Sequence, residues 1–260
     1  MTVHTLVIPR LSSADRFARR LLDDMVRPAG LLDEAVVLRR CAMYRKAFPT
    51  SALSFPASVL RSGVVADWIR RHGVSVDIAS VEELDLAVSR EVAAKHLVMH
   101  CRADTDSAGV RRAVAAGVIK FVVGAEEHLA VLGGSTGAVR QVMVDSGQLG
   151  WEDHAAQVVA QRATTLIGVH GELLRSDGAG GADTVIEMVG AMARLSRRHG
   201  AILSRLSLGG LSEEPSGDIR VLRGVAEETA EVIRDGCALC RYPVPALTIS
   251  LTPLALAAAG

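Results

Sequence analysis

The sequence predicts an α/β protein whose eight parallel strands close into a (β/α)8 barrel. Short runs rich in Val, Ile and Leu alternate with amphipathic stretches along almost the whole chain. Strands buried on both faces and joined by crossover helices give that pattern. Eight such runs fall within 260 residues, and that number at that length suits a barrel better than an open doubly wound sheet. No glycine-rich fingerprint follows the first run, where an open nucleotide-binding sheet would carry one.

In chain order, strands are expected at 50–57, 74–79, 96–100, 119–123, 140–144, 165–169, 203–208 and 246–251, all too short to be helices. Helices are expected at 59–72, 81–94, 105–116, 125–132, 151–162, 182–199 and 218–235, with one more near 33–47 ahead of the first strand. Gly73 and Gly117 stand where two of these helices must end, and glycine permits the left-handed residue found there. Asp104 and Thr105 stand where the helix at 105–116 needs an N-cap. Residues 175–183 (RSDGAGGAD) read as a polar loop over the barrel mouth. The GGSTG at 133–137 lacks the Lys-Ser/Thr of a phosphate loop and precedes a strand, so it reads as a turn. Residues 1–19 read as an N-terminal extension and 20–260 as one barrel domain.

Composition narrows the function. Apolar residues make up 49% and mean hydropathy is +0.28, which supports a large buried core and excludes global disorder. No run of about 18 apolar residues appears, and the first twenty residues lack a cleavable signal pattern. Basic and acidic residues number 29 each, which removes the electrostatic case for nucleic acid or an anionic membrane. Four cysteines do not make a secreted disulfide framework, so a cytoplasmic location is expected. Cys237 and Cys240 form one CxxC with no second pair to complete a zinc site; a redox pair is one reading, and two ordinary cysteines in the loop before the last strand is the simpler one. Lysine occurs only at 46, 95 and 120, so chemistry that needs a lysine has three candidates.

Active sites of such barrels form at the C-terminal ends of the strands. There the sequence places Ser58, Ser80, His100, Cys101, Asp145, Ser146, His170, Glu172, Gly209 and Gly210. His100, Cys101, Asp145, His170 and Glu172 suit either a divalent metal or an acid–base pair; incidental polar lining is the simpler reading, and no metal is assigned.

The stretch LLDEAVVLRRCAMYRKAFP, the VDIASVEEL after it, the unit HLVMHCRADTDSAGVRRAVAAGV, LIGVHGELL and LSLGG occur in that order. Together they resemble the barrel of the fold-type III pyridoxal-phosphate enzymes, the diaminopimelate, ornithine and arginine decarboxylases and alanine-racemase-like proteins. The resemblance runs from about residue 20 to the end. It implies a pyridoxal-phosphate site with Asp77, Ser80 and Glu83 at the end of the second strand. Gly209 and Gly210 would offer backbone amides to a phosphate.

The chain departs from the family pattern where the cofactor is anchored. Aligned without a gap from VDIAS, the family's YAVKAN falls on Phe55-Pro56-Ala57-Ser58-Val59-Leu60, which puts Ser58 at the Schiff-base lysine. The ring-stacking histidine falls on Glu172, or on His170 if two residues are gapped. The EPGR phosphate motif reads Ser250-Leu251-Thr252-Pro253. No counterpart of the family's C-terminal β-domain is expected, and the apolar tail LTPLALAAAG is expected to contact a partner. The resemblance therefore implies a degenerate barrel, non-catalytic or ligand-binding on its own. Ser58, Asp77, Ser80, His100, His170, Glu172, Gly209 and Gly210 are its candidate ligand-binding residues. No covalently bound cofactor is expected; non-covalent pyridoxal phosphate, or a lysine from a partner chain in an active enzyme, is the alternative. A scaffold subunit of a full-length homologue is the third reading. The partners expected are a small-molecule or phosphate-containing ligand and a homo- or hetero-oligomer, with no nucleic acid and no membrane.

Overall fold

A computed structural model describes residues 34–102, 105–173, 181–210 and 218–256. The expected boundary at residue 19 lies outside them, as do Asp104 and most of the expected mouth loop at 175–183.

Eight parallel strands close in sequential order, with β1 paired to both β2 and β8. They are β1 (Ala52–Pro56), β2 (Ser75–Ile78), β3 (Leu97–Cys101), β4 (Lys120–Val123), β5 (Arg140–Asp145), β6 (Thr164–Glu172), β7 (Arg205–Gly209) and β8 (Ala246–Ser250). The fold class expected from the alternation is the one observed. Helix α1 (Glu34–Ala47) precedes the barrel. Around it lie α2 (Gly63–His72), α3 (Val81–Ser89), α4 (Ser107–Ala115), α5 (Glu126–Gly133), α6 (Trp151–Ala160), α7 (Gly181–His199) and α8 (Ile219–Cys240).

Side chains divide by the period of two along each strand. Phe55, Val76, Ile78, Phe121, Val123, Val142, Val144, Leu206 and Leu208 point outward into the main core, shared with the helices. Val98, Val122 and Met143 form a separate buried cluster inside the barrel, with Ile167 packed against it. This plug divides the interior into two ends.

The helices stop and start for local reasons. Gly73 takes φ +59° and Gly117 φ +84°, the left-handed turns expected of them. The stretch expected as one helix at 59–72 is two pieces: a 3-10 turn over Ala57–Arg61, then α2. Ser62 divides them, because its hydroxyl accepts from the Val65 amide and starts the helix afresh. The cap of α4 is Asp106, whose carboxylate accepts from the Gly109 amide at 2.6 Å. Thr105 instead accepts from the Arg102 amide. Cys237 and Cys240 lie in the last turn of α8, not in a loop, since that helix continues to a left-handed Arg241. At the C-terminus Pro253–Leu256 form α9, whose Ala255 and Leu256 are buried in the main core. These two residues therefore pack within the chain itself, where the sequence suggested a partner contact.

Candidate functional site

A cavity of about 710 Å3 opens at the C-terminal ends of the strands. Asp77, Glu83, His100, Arg102, Asp145, His170, Glu172 and Ser250 are among its lining residues. Its floor is built around Asp77. The Ser54 hydroxyl donates to one carboxylate oxygen at 2.5 Å, the Ser250 hydroxyl donates to the other, and His100 Nε2 lies 3.2 Å from the first. Ser54 and Ser250 occupy paired positions on β1 and β8, so Asp77 ties three neighbouring strands together.

Burial alone would raise the Asp77 carboxyl. The charge of His100 and its hydrogen bond, with those of Ser250 and Ser54, outweigh burial and hold it below the ordinary aspartate value. Burial alone would lower His100; the Asp77 carboxylate, aided by Glu172 and Asp145, raises it above the ordinary histidine value. Each group thus favours the charged form of the other, a carboxylate beside an imidazolium. His100 Nδ1 makes no hydrogen bond among the described residues, which leaves it available to donate to a ligand.

His170 stands edge-on to His100, with ring centroids 4.9 Å apart and planes at 84°. Its Nδ1 is 2.9 Å from the Ser207 hydroxyl and its Nε2 is 3.5 Å from Glu172. The Glu172 carboxylate favours a proton on Nε2, the nitrogen that faces it. A bulge aims both residues inward. Val142 pairs with Leu166, but Met143 pairs with Gly168, so Ile167 is an extra residue in β6. Before it Thr165 and Ile167 face the interior; after it Gly168, His170 and Glu172 do. At Glu172, burial would raise the carboxyl, but the hydrogen bond and charge of His170, then His100, bring it below the ordinary glutamate value.

The sequence-derived candidates divide in two. Asp77, His100, His170 and Glu172 come together in the cavity. Gly209 ends β7 against Glu172, and Gly210 follows in a left-handed turn at φ +66°. Ser80 caps α3, accepting from the Glu83 amide, while Glu83 accepts from the Ala79 amide at 2.7 Å. Of these two, only Glu83 lines the cavity. Ser58 lies in the 3-10 turn after β1; its hydroxyl is buried without a hydrogen-bond partner and off the cavity wall. Cys101 lines the cavity, but burial pushes its thiol up to about 12, which removes it as a nucleophile near neutral pH. Among the described residues, no three of His, Cys, Asp and Glu are placed to hold a metal.

Sequence reasoning missed Ser54, Ser207, Arg102 and Gln148. Ser54 and Ser207 lie within strands, where alternation was the only signal. Gln148 is fixed by its hydrogen bond to Asp145 at 3.2 Å.

The residues present do not fit an imine-linked pyridoxal phosphate. Lys46 lies in α1, Lys95 in the 3-10 turn before β3, and Lys120 at the N-terminal start of β4. None lines the cavity. The glycine edge is also covered: a Cβ on Gly209 would stand 2.4 Å from both Glu172 carboxylate oxygens. A negative charge thus sits where the resemblance places a phosphate.

Comparison with known proteins agrees with the fold. The family model described as "Pyridoxal-dependent decarboxylase, pyridoxal binding domain" matches residues 34–145. A diaminopimelate decarboxylase of Actinosynnema pretiosum subsp. auranticum is 26% identical over 265 residues, covering 90% of this chain. The chain spans 59% of the length of that relative. Among solved structures, a lysine/ornithine decarboxylase from Vibrio vulnificus complexed with putrescine superposes with TM-score 0.63 at 18% identity, over 93% of this chain and 68% of that one. A diaminopimelate decarboxylase from M. jannaschi gives TM-score 0.68 at 12% identity, over 85% and 59% respectively. The shared barrel, the decarboxylase relative and the match over its first five strands make this chain similar to the fold-type III pyridoxal-phosphate enzymes.

Proposed function

We propose that this barrel binds a small polar molecule at its C-terminal mouth without an imine link, and that alone it performs no decarboxylase or racemase turnover. The observation that carries this reading is that none of the three lysines of the chain lines the cavity. Imine chemistry requires an amine that both anchors the cofactor and exchanges with the substrate. A serine offers only a hydrogen bond, worth about 0.5–1.5 kcal/mol net. The ligand-facing groups are instead His100, a donor, and Glu172, an acceptor. The ligand sought is therefore a small molecule with both a hydrogen-bond-accepting and a hydrogen-bond-donating group. Bound pyridoxal phosphate would be non-covalent and would have to displace the Glu172 carboxylate from Gly209. A homo- or hetero-oligomer is the assembly proposed, and four unpaired cysteines favour a reducing, cytoplasmic setting.

The test is incubation with pyridoxal phosphate, borohydride reduction and peptide mapping. The expected result is no stoichiometric pyridoxyl adduct, with any absorbance lost on dialysis. An adduct on Lys46, Lys95 or Lys120 that accompanies amino-acid turnover would overturn the reading.

A further inference from the structure

We propose that the opposite, N-terminal end of the barrel carries a second binding site, for a small oxyanion of the phosphate or carboxylate type, held by Lys120 and Arg205. Register and period place the site. Lys120 pairs with Gln141, and Gln141 with Thr165, on three successive strands. Each lies two residues before a member of the interior plug, Val122, Met143 or Ile167, so all three face the interior below the plug. Arg205 begins β7 at the same end.

Among the described residues the cations there have no counter-charge. Lys120 is half-buried, and neither it nor Arg205 makes an ion pair or hydrogen bond among the described residues. Other basic groups lie beside them: His96 is held below its ordinary value by burial, then by the charges of Lys95 and Lys120. Lys120 itself is lowered first by burial and then by Arg205. No carboxylate contributes to either shift. A desolvated ammonium beside a guanidinium is an unfavourable arrangement, and a bound oxyanion relieves it. Gln141, paired with Lys120, and Thr165, paired with Gln141, supply neutral donors at the same end of the barrel. Arginine binds an oxyanion through two parallel hydrogen bonds, and lysine binds as a point charge.

The experiment acylates the intact protein with limiting N-hydroxysuccinimidyl acetate near neutral pH and quantifies each lysine by mass spectrometry. It is run in sodium chloride, sodium acetate and sodium phosphate at equal ionic strength. Lys120, whose free-amine fraction burial and Arg205 increase, should react in chloride and be protected in phosphate or acetate, about tenfold at ten times the dissociation constant. Lys46 and Lys95 should be unaffected. Protection by phosphate alone identifies a phosphate-type ligand; protection by acetate as well extends the site to carboxylates. In Arg205→Met, which changes an exposed residue, protection of Lys120 should fall several-fold. Equal modification of Lys120 in all three salts, or protection unchanged in Arg205→Met, would overturn the site. Neither outcome bears on the cavity at the other end, which is read by borohydride mapping.

Discussion

Asp77 is the residue on which the cavity floor depends. Its two oxygens serve two serines and a histidine on three other strands. Asp77→Ala would leave His100 charged and unpaired in a largely buried position, and the expected cost is roughly 3 kcal/mol. The pH dependence follows from the two shifts. Asp77 lies below its unfolded value, so its contribution is present above about 3.9 and is lost as pH falls through the lower folded value. His100 lies above its unfolded value, so its contribution is complete below about 6.5 and is lost as pH rises through the higher folded value. Urea midpoints of wild type and Asp77→Asn should therefore differ most between about pH 4 and 6.5 and converge on either side. A gap that does not vary with pH would show that the pair is not ionised. The sequence exposed Asp77, His100, His170 and Glu172 because each stands at a strand end. Ser54 was hidden, and Ser250 was read only as part of an altered phosphate motif, because a hydroxyl inside a strand is legible only once the register of β1 against β2 and β8 is known. Ser58 was singled out by an alignment without gaps. That procedure reads spacing but cannot see the 3-10 turn that carries this hydroxyl off the cavity wall.

The bulge in β6 is the element that makes the cavity. If Ile167 were paired in the ladder instead of bulged, alternation would turn Val169 and Gly171 inward and send His170 and Glu172 to the helical layer. Gly168 permits the bulge, since a Cβ there would stand 2.0 Å from the Arg205 carbonyl oxygen on β7. Gly168→Ala must push these backbones apart. The expected loss is roughly 3 kcal/mol, at the upper end of overpacking costs, and the His170 ring signals should shift by NMR. An unchanged melting point with unchanged His170 shifts would show that the strand accommodates the methyl. A milder test lies in α3, where Ser80 caps the helix. Ser80→Ala should cost about 1 kcal/mol and leave ligand binding intact, because Ser80 is absent from the cavity wall. Weakened binding without a change in stability would instead make Ser80 a ligand contact. The strand runs were legible because parallel strands buried on both faces form unbroken apolar runs. The bulge was not, because LIGVHGE reads equally well in either phase. The helix expected at 218–235 runs on to Cys240, with Gly236 inside α8 against Ile186 of α7.

Closure governs the molecule as a whole. Every strand of the closed barrel has two hydrogen-bonded neighbours, so no strand can leave without exposing two edges. The main core is one cluster that reaches from α1 and β1 round to α9. Such an arrangement should unfold as one cooperative unit from residue 34 onward. The two tryptophans report on separate parts of it. Trp68, on α2, meets Phe55 of β1 edge-on at 6.0 Å, whereas Trp151 begins α6 and packs against the core beyond β5. Trp68→Phe and Trp151→Phe each leave one fluorescent probe. Within each variant, the fluorescence midpoint should match the far-UV circular dichroism midpoint to within about 2 °C, the shift produced by less than 1 kcal/mol in a domain of this size. A Trp68 transition well below the circular dichroism midpoint would mean that β1 and α2 open before the rest. The barrel would then be breached at the β1–β8 seam, where Ser54, Ser250 and Asp77 hold the cavity floor. Loss of that floor would have to follow the same early transition, seen as collapse of the raised His100 titration by NMR. With a cooperative barrel, the His100 titration instead persists up to the common midpoint.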